Sequence, residues 1–591
     1  MRCFTYPYDS KFLKRKKAWI KETLLAETTH WIDCKIAVLG GSTTNEITDQ
    51  LELFLLNDGI RAVFYQSEYG KYYEDAVFGN DVLNAFSPDL VFLHTNWRNI
   101  GVFPSVHDSD DAVSQLLEKE YKKFESVWKA IEDKFGCPVI QNNFDRPDYR
   151  LMGNRDIWDI RGRSHFIFAM NQLLYQYAGK HPDFYINDID YIASCVGMDK
   201  WNSPIYWHMY KYICDYDAIP YLAASAAHII KSLYGKNKKL LAVDLDHTIW
   251  GGVVGEDGVD GLLLGNETPK GEVYADIQSY LKKLREIGVV LAVASKNDYQ
   301  NAIDGLRHPD SVLCEDDFVA IEANWEPKDQ NIKKIADAIS LGTDSFVFMD
   351  DNPAERGIVS NHVPGVSVPE LVNPEDFIRL VDRGGYFETT ILSEEDQKKT
   401  EQYKARSFAR QAESAYSDYG EYLEGLDMKA EIRDFQEVYI QRIAQLVNKS
   451  NQFNLTALRC TENDIRAMNE SGRYLCLYGK LFDKFCDHGV VAVSIGELVD
   501  DTLHIRLWLM SCRVLKRGLE DAMMNVFIEK AKAHGCKSLA GYYYPTPKNS
   551  MVKDFYSGYG FSLSGSEENG STRWEIRIDE YIPKGTHILM K

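Results

Sequence analysis

Short apolar runs alternate with amphipathic stretches along the chain to about residue 385. "CKIAVLGGST" (34–43) is an apolar run closed by Gly-Gly-Ser-Thr, and "NEITDQLELFLLNDG" after it carries helical spacing. "IRAVFYQSEYG", "PDLVFLHTNW" (88–97) and "CPVIQNNF" (137–144) are further strands with helical patterns between them. Strands alternating with helices predict βαβ units and a parallel sheet. This first α/β domain is expected to end near residue 235, where "GKNKK" (235–239) is a short polar boundary. Residues 12–30, polar and Lys-rich with Leu, Trp and Ile interspersed, predict a surface helix ahead of it.

A second α/β domain (236–385) opens with "LLAVDLDHTIWGG" (240–252) and continues through the apolar runs "VVLAVASKN" (289–297), "FVAI" (318–321) and "SFVFMDDNP" (345–353). Helical patterns at 271–286 and 328–340 lie between them. The charged stretch 394–425, within 386–427, predicts a linking helix. The remainder, 428–591, predicts an α+β domain: "VVAVSIGEL" and "TLHIRLWLMS" are adjacent strands, and "RGLEDAMMNVFIEKAKAHG" is an amphipathic helix closed by Gly535.

With 591 residues the chain exceeds one hydrophobic core, and 45% hydrophobic with 26% charged residues is globular composition. A net charge of −21 argues against nucleic acid or an anionic membrane as the main partner. No signal peptide and no apolar run of transmembrane length is found. The 11 cysteines are scattered singly, which fits free thiols in a reducing cytoplasm.

The chemistry gathers at strand ends. Asp244 and Asp246 stand two residues apart just after the run Leu240–Val243, where parallel sheets bind ligands. Asp244 can attack a phosphorus; Asp246 can protonate the leaving oxygen and later activate water. The chain must turn at once after Asp244, and Thr248 can anchor that turn. Ser295 ends the next run and can hydrogen-bond a phosphoryl oxygen, with Asn297 beside it. Lys328 can neutralise phosphate and nucleophile. Asp350 and Asp351 end "FVFM" and, with Asp244 and Asp246, offer oxygen ligands for Mg²⁺. Taken singly each acid could be a helix cap; four such groups in order, each at an apolar run's end, point to one site.

This series resembles the haloacid-dehalogenase phosphotransferase superfamily, and "DLDHTIWGGVVGEDG" with "FMDDNPAER" resembles its FkbH-like branch, subfamily IIIC. The resemblance implies a Rossmann-like domain, Asp244 as nucleophile and Asp246 as acid/base. Only 51 residues separate Asp244 from Ser295, and 33 separate Ser295 from Lys328, so no large cap domain fits. "QLVNKSNQFNLT" (445–456) extends the FkbH-like resemblance; read from its residues alone it is a hydrogen-bonded turn.

Two flanking resemblances complete the picture. "LMSCRVLKRGLEDAMM" (509–524) and "NSMVKDFYSGYGF" (549–561) are similar to the acetyl-CoA loop and later segment of GNAT acyltransferases. They imply Arg513, Arg517, Gly518 and Asn549 as binding residues for a phosphopantetheine arm, of CoA or of an acyl carrier protein, and Tyr556 as general acid. Cys512 is either a thiol that accepts an acyl group or a buried strand cysteine. "VLGGST" resembles block I of SGNH-like hydrolases, with Ser42 as nucleophile, Asn96 and Asn142 as oxyanion-side groups and His208 as base. No Asp-x-x-His precedes His208, and Asp199 lies nine residues back, so the triad reads as degenerate and the domain as a scaffold or carrier-docking module.

The expected protein is thus a cytoplasmic multidomain α/β enzyme with SGNH/flavodoxin-like, HAD-like and GNAT-like parts, Mg²⁺-dependent. The FkbH-like resemblance implies glyceryl transfer from 1,3-bisphosphoglycerate to an acyl carrier protein. A plain phosphatase on a sugar or nucleotide-sugar intermediate, or a non-catalytic assembly module, stays open beside it.

Overall fold

The computed structural model describes residues 1–28, 31–392, 399–405, 419–450, 452–484, 487–511, 514–546 and 549–591. The chain is a multidomain α/β protein that divides into two compact units, Met1–Leu233 and Tyr234–Lys591.

The first unit is built on a parallel five-stranded sheet of β1 (Ile32–Gly40), β2 (Ile60–Gln66), β3 (Leu90–His94), β4 (Val139–Asn142) and β5 (Phe184–Asn187), in the order β2-β1-β3-β4-β5. β3 and β4 are buried along their whole length, as strands covered on both faces must be. The 26-residue helix Asp110–Phe135 starts at Ser109, whose hydroxyl accepts from Ala112 N–H, and ends at Gly136 in the left-handed conformation. Its Phe124, Val127, Trp128 and Ile131 enter the core with Leu93 and Phe166. Because β2 and β3 flank β1 on opposite sides, the chain leaves the sheet in opposite directions there, which opens a crevice at the carboxyl ends of β1 and β3. The surface helix expected at 12–30 is two helices, Ser10–Arg15 and Lys17–Glu27; residues 29–30 lie outside the described residues.

The second unit carries two sheets. The first is parallel: β6 (Leu240–Val243), β7 (Val290–Ser295), β8 (Phe318–Ala323) and β9 (Phe346–Met349), in the order β8-β7-β6-β9. β6 is central, so the point where strand order reverses falls at Asp244. Between β6 and β7 the chain folds as a short helix (Val254–Asp257), a 3₁₀ turn and the helix Pro269–Glu286, with no inserted domain. Most of the linking helix expected within 394–425 lies outside the described residues; 399–405 and Tyr419–Glu424 are helical.

The second sheet has nine strands: β10 (Lys429–Asp434), β11 (Phe453–Asn454), β12 (Tyr474–Phe482), β13 (Asp487–Val499), β14 (Thr502–Met510), β15 (Ser538–Tyr543), β16 (Ser562–Ser566), β17 (Thr572–Arg577) and β18 (Leu589–Met590). β10, β12, β13 and β14 run antiparallel in turn, while β14 and β15 pair in parallel over Thr502–Ile505 alone and then part. The helix Leu519–Ala533 buries Leu519, Met523 and Phe527 on this sheet, close enough that a Cβ at Gly479 would lie 2.8 Å from Met523 Sδ.

Candidate functional site

β6 delivers Asp244 into the crevice, and its amide donates to Met349 O at 2.9 Å, which locks the strand end to β9. The chain then turns at once. His247 takes a left-handed φ of 54°, and the amides of Thr248 and Ile249 both donate to Leu245 O. That turn is what lets two acids two residues apart serve one crevice, since a straight strand would send them to opposite faces.

Lys328 is the first residue of the helix Lys328–Ile339, and its Nζ lies 2.8 Å from Asp244 Oδ2 and 2.6 Å from Asp350 Oδ2. Burial alone would lower the Lys328 pKa; the charges of Asp244 and Asp350 outweigh it and hold the pKa above its ordinary value. Asp350 is pushed up to about 6, first by burial and then by the charge of Asp244. Asp351 is raised for the same two reasons. The Asp351 amide donates to Thr248 Oγ1 at 3.2 Å, so Thr248 ties the turn to the end of β9. Arg356 holds the strand end from below, donating to Asp350 O and Asp351 O at 2.8 and 2.6 Å.

Asp244, Asp350 and Asp351 bring carboxylate oxygens within 4.8 Å of one another. Three carboxylates against one ammonium leave two negative charges, and the donors are all hard oxygens. That set fits a divalent cation such as Mg²⁺. Asp246, expected as a fourth ligand, is placed differently. Its Oδ1 accepts from Trp250 Nε1 at 2.8 Å and from Val254 N–H at 3.1 Å, and its Oδ2 accepts from Asn297 Nδ2 at 3.0 Å. Three donors hold this carboxylate apart from the three-acid cluster. Burial raises its pKa, opposed by the Trp250 and Val254 donors. Asn297, expected to bind substrate, thus positions Asp246. Ser295 ends β7, 1% exposed, and its carbonyl receives the Asn324 amide.

The sequence reading did not single out Trp250, Asn297's tie to Asp246, or Trp325. Trp325 lies three residues before Lys328, is 71% exposed, and donates through Nε1 to Asp298 Oδ1 at 2.8 Å. Asp298 is at the N-cap position of the helix Tyr299–Leu306 yet makes no capping bond. An aspartate just beyond Ser295 and a tryptophan just before Lys328 were the available signal.

The other expected sites are arranged otherwise. Cys512 and Arg513 lie outside the described residues. Arg517 is buried in a charge cluster, bonded to Asp483, which also pairs with His488 at 2.8 Å, so its guanidinium is not presented to a diphosphate. Gly518, at φ 85°, precedes the helix Leu519–Ala533, but the anion seat there is filled by the chain itself: Glu520 accepts from Lys516 N–H at 2.8 Å and is also held by the Gly518 amide.

The gap where β14 and β15 part is filled too. β11 pairs antiparallel with Leu509 and Met510, Leu455 N–H donates to Trp508 O, and Tyr544 N–H donates to Leu455 O at 2.8 Å. Asn549 is fully buried and closes this insertion, donating to Asn454 O and Tyr544 O at 2.8 and 2.9 Å while accepting from Thr546 N–H. It is a structural tie; of "QFNLT", expected as a hydrogen-bonded turn, Phe453–Asn454 is strand β11 and the turn follows it, with Asn454 Oδ1 accepting from the Thr456 and Ala457 amides at 3.3 and 2.9 Å. Tyr556, expected as a general acid, is a core residue: its ring meets Phe555 and Phe561, a Cβ at Gly541 would lie 2.4 Å from it, and burial pushes its phenol pKa up.

In the first unit Ser42 is buried at the end of β1, while His208 is exposed on the helix Pro204–Tyr210 and makes no hydrogen bond to it among the described residues. No Ser–His pair forms, because the base sits on a surface helix. Asn96 caps the turn Trp97–Asn99 through its side chain. Asn142 lies in a buried chain with His94 (3.1 Å) and Asn187 (2.8 Å), and burial lowers the His94 pKa to about 4.

No family model and no curated protein matches this chain. Among solved structures it is similar to the N-terminal part of the protein BF1531 from Bacteroides fragilis, described as containing a phosphatase domain complexed with Mg. Identity is 28% and the TM-score 0.59, covering 65% of this chain and 100% of that one. Smaller matches include the Escherichia coli ribosomal-protein-S18-alanine N-acetyltransferase (14% identity, TM-score 0.21, 25% of this chain and 94% of that one). Another is the GNAT domain of S. lividans PAT (16% identity, TM-score 0.21, 25% and 89%). No helix among the described residues is long and apolar enough to cross a membrane.

Proposed function

We propose that the domain built on β6–β9 is a Mg²⁺-dependent phosphatase of the haloacid-dehalogenase type, acting on a phosphorylated small molecule. The observation that carries this is the cluster of Asp244, Asp350 and Asp351 around Lys328 at the carboxyl end of β6. Support comes also from the likeness to the Bacteroides structure, whose phosphatase domain was crystallised with Mg.

Asp244, Asp350 and Asp351 would hold the cation, which when bound supplies charge neutralisation for the phosphoryl group. Asp244 attacks the phosphorus and the bond to the leaving oxygen breaks. Asp246, in its protonated form, gives its proton to that oxygen. The carboxylate so formed then takes a proton from water, which opens the aspartyl phosphate and releases phosphate. Lys328 keeps Asp244 ionised and offsets charge on the phosphoryl oxygens. Ser295, at the end of β7, donates to one of them. No domain is inserted between β6 and β7 to cap the crevice.

Phosphate release from a panel of phosphomonoesters with Mg²⁺ tests this reading. It requires turnover in the wild type and its loss in Asp244→Asn; equal release by both proteins would sink it.

The finer reading, glyceryl transfer from 1,3-bisphosphoglycerate to an acyl carrier protein through Cys512, is supported by the FkbH-like motifs alone. Intact-protein mass spectrometry addresses it: a glyceryl adduct lost in Cys512→Ala and Asp244→Asn supports transfer. Phosphate release without an adduct on protein or carrier leaves hydrolysis.

A further inference from the structure

Two arginines crowd one indole at the crevice of the first unit. The Arg98 guanidinium lies 4.3 Å from the Trp97 ring centre and 4.5 Å from that of Trp207. The Arg163 guanidinium lies 5.5 Å from Trp97, 4.8 Å from Phe103 and 5.0 Å from Tyr149, whose hydroxyl it also meets. Stacking of this kind fixes the planes of both forks and leaves their edges free to donate. Neither guanidinium pairs with a carboxylate among the described residues. Asp145 and Asp148 act on Arg98 only through space, and Asp145 has its oxygens committed to Trp97 N–H and to Trp201 Nε1 at 3.2 and 2.7 Å.

The surrounding polar atoms point the same way. Ser42 Oγ and Trp97 Nε1 are buried and have no hydrogen-bond partner among the described residues. Such groups are costly unless something completes them. Ser42 belongs to the same crevice: the next residue, Thr43, donates through Oγ1 to Tyr210 O at 2.7 Å, on the helix that carries Trp207. Asn99, beside Arg98, donates to Gly41 O at 3.0 Å.

We infer that the first unit binds the phosphoryl group of a small phosphomonoester in this crevice, through Arg98 and Arg163, with Ser42 as a hydroxyl donor. Two unpaired cations match a dianion, and arginine forks match phosphate oxygens. With His208 exposed and unpaired to it, Ser42 has no base among the described residues and serves as a binding group. The inference is independent of the chemistry assigned to Asp244.

Hydrogen-exchange mass spectrometry on the full chain in EDTA tests it, with methyl phosphate and, separately, acetate as probes at millimolar concentration. Methyl phosphate is expected to protect peptides covering 40–45, 95–103 and 204–210. Arg98→Gln and Arg163→Gln should each weaken that protection about tenfold, the cost of one charge-assisted contact. Acetate should protect much less. The inference fails if methyl phosphate protects only peptides around 244–252, 295–298 and 350–356. It fails equally if protection persists in both variants, or if acetate protects as well. Should Arg98→Gln alter exchange in β3 and β4 without ligand, Arg163→Gln decides alone.

Discussion

The ammonium of Lys328 bridges Asp244 and Asp350, at 2.8 and 2.6 Å, where all three side chains are at least nine-tenths buried. One positive charge there holds two carboxylates that would otherwise repel, and it does so before any substrate arrives.

Lys328→Met should therefore cost both activity and stability. Removing one partner of a buried pair leaves an uncompensated charge, with a loss of about 3–5 kcal/mol. Thermal unfolding of the variant should show a lowered midpoint that Mg²⁺ partly restores, because a cation among the three carboxylates replaces part of the lost charge. A midpoint equal to the wild type would contradict the charge balance described for the site.

Asn297→Ala tests the assignment of Asp246 as the proton-transfer group. The variant loses the 3.0 Å donor that orients Oδ2 and leaves Asp244 and Lys328 untouched. Steady-state kinetics should show kcat lowered about tenfold, equivalent to ~1.4 kcal/mol, with KM little changed. A rise in KM at constant kcat would return Asn297 to substrate binding.

Asn549→Ala should loosen the insertion between β14 and β15. The buried carbonyl of Asn454 would lose a donor, at about 1–3 kcal/mol, and the partly buried carbonyl of Tyr544 would lose one at smaller cost. The amides of Leu455 and Tyr544, which carry the ladder across the gap, should then exchange faster with solvent. Unchanged exchange at both positions would show that the backbone pairing alone holds the segment.

His94 makes the first unit sensitive to acid. Burial lowers its folded-state pKa from 6.5 to about 4, so between those values the unfolded chain takes up a proton that the folded one refuses. Its contribution is complete above the upper value and declines as pH falls, at about 1.4 kcal/mol per pH unit. Buried Asp145, raised to about 6, works in the opposite direction over part of the same range, and it is common to both proteins if His94→Gln is compared with wild type. The stability difference, read from exchange of the β3 and β4 amides, should move in favour of the variant as pH falls from about 7 to about 5. A difference independent of pH would mean that the imidazole titrates normally.

The sequence by itself determined the strands and what stands at their ends. Apolar runs of four to six residues bounded by polar ones gave β6, β7 and β9, and covalent connection placed Asp244 and Asp350 directly after β6 and β9 and Ser295 at the last position of β7. Such features are local: periodicity selects the strand, and parallel pairing carries every carboxyl end to one side. Tertiary structure decided which partners each group met. Asp246 is held away from the carboxylate cluster by an indole four residues on and an amide 51 residues on, and no spacing rule announces either. Glu520 reads as an ordinary first-turn acid, yet it fills the anion seat that Arg517 and Gly518 suggested. The 453–456 segment reads as a turn, yet it completes the gap between two strands far from it in sequence. His208 and Ser42 have the residue types of a hydrolase and not the geometry. Side-chain chemistry is written residue by residue, whereas its use depends on which buried donors and charges the packing brings within hydrogen-bond reach.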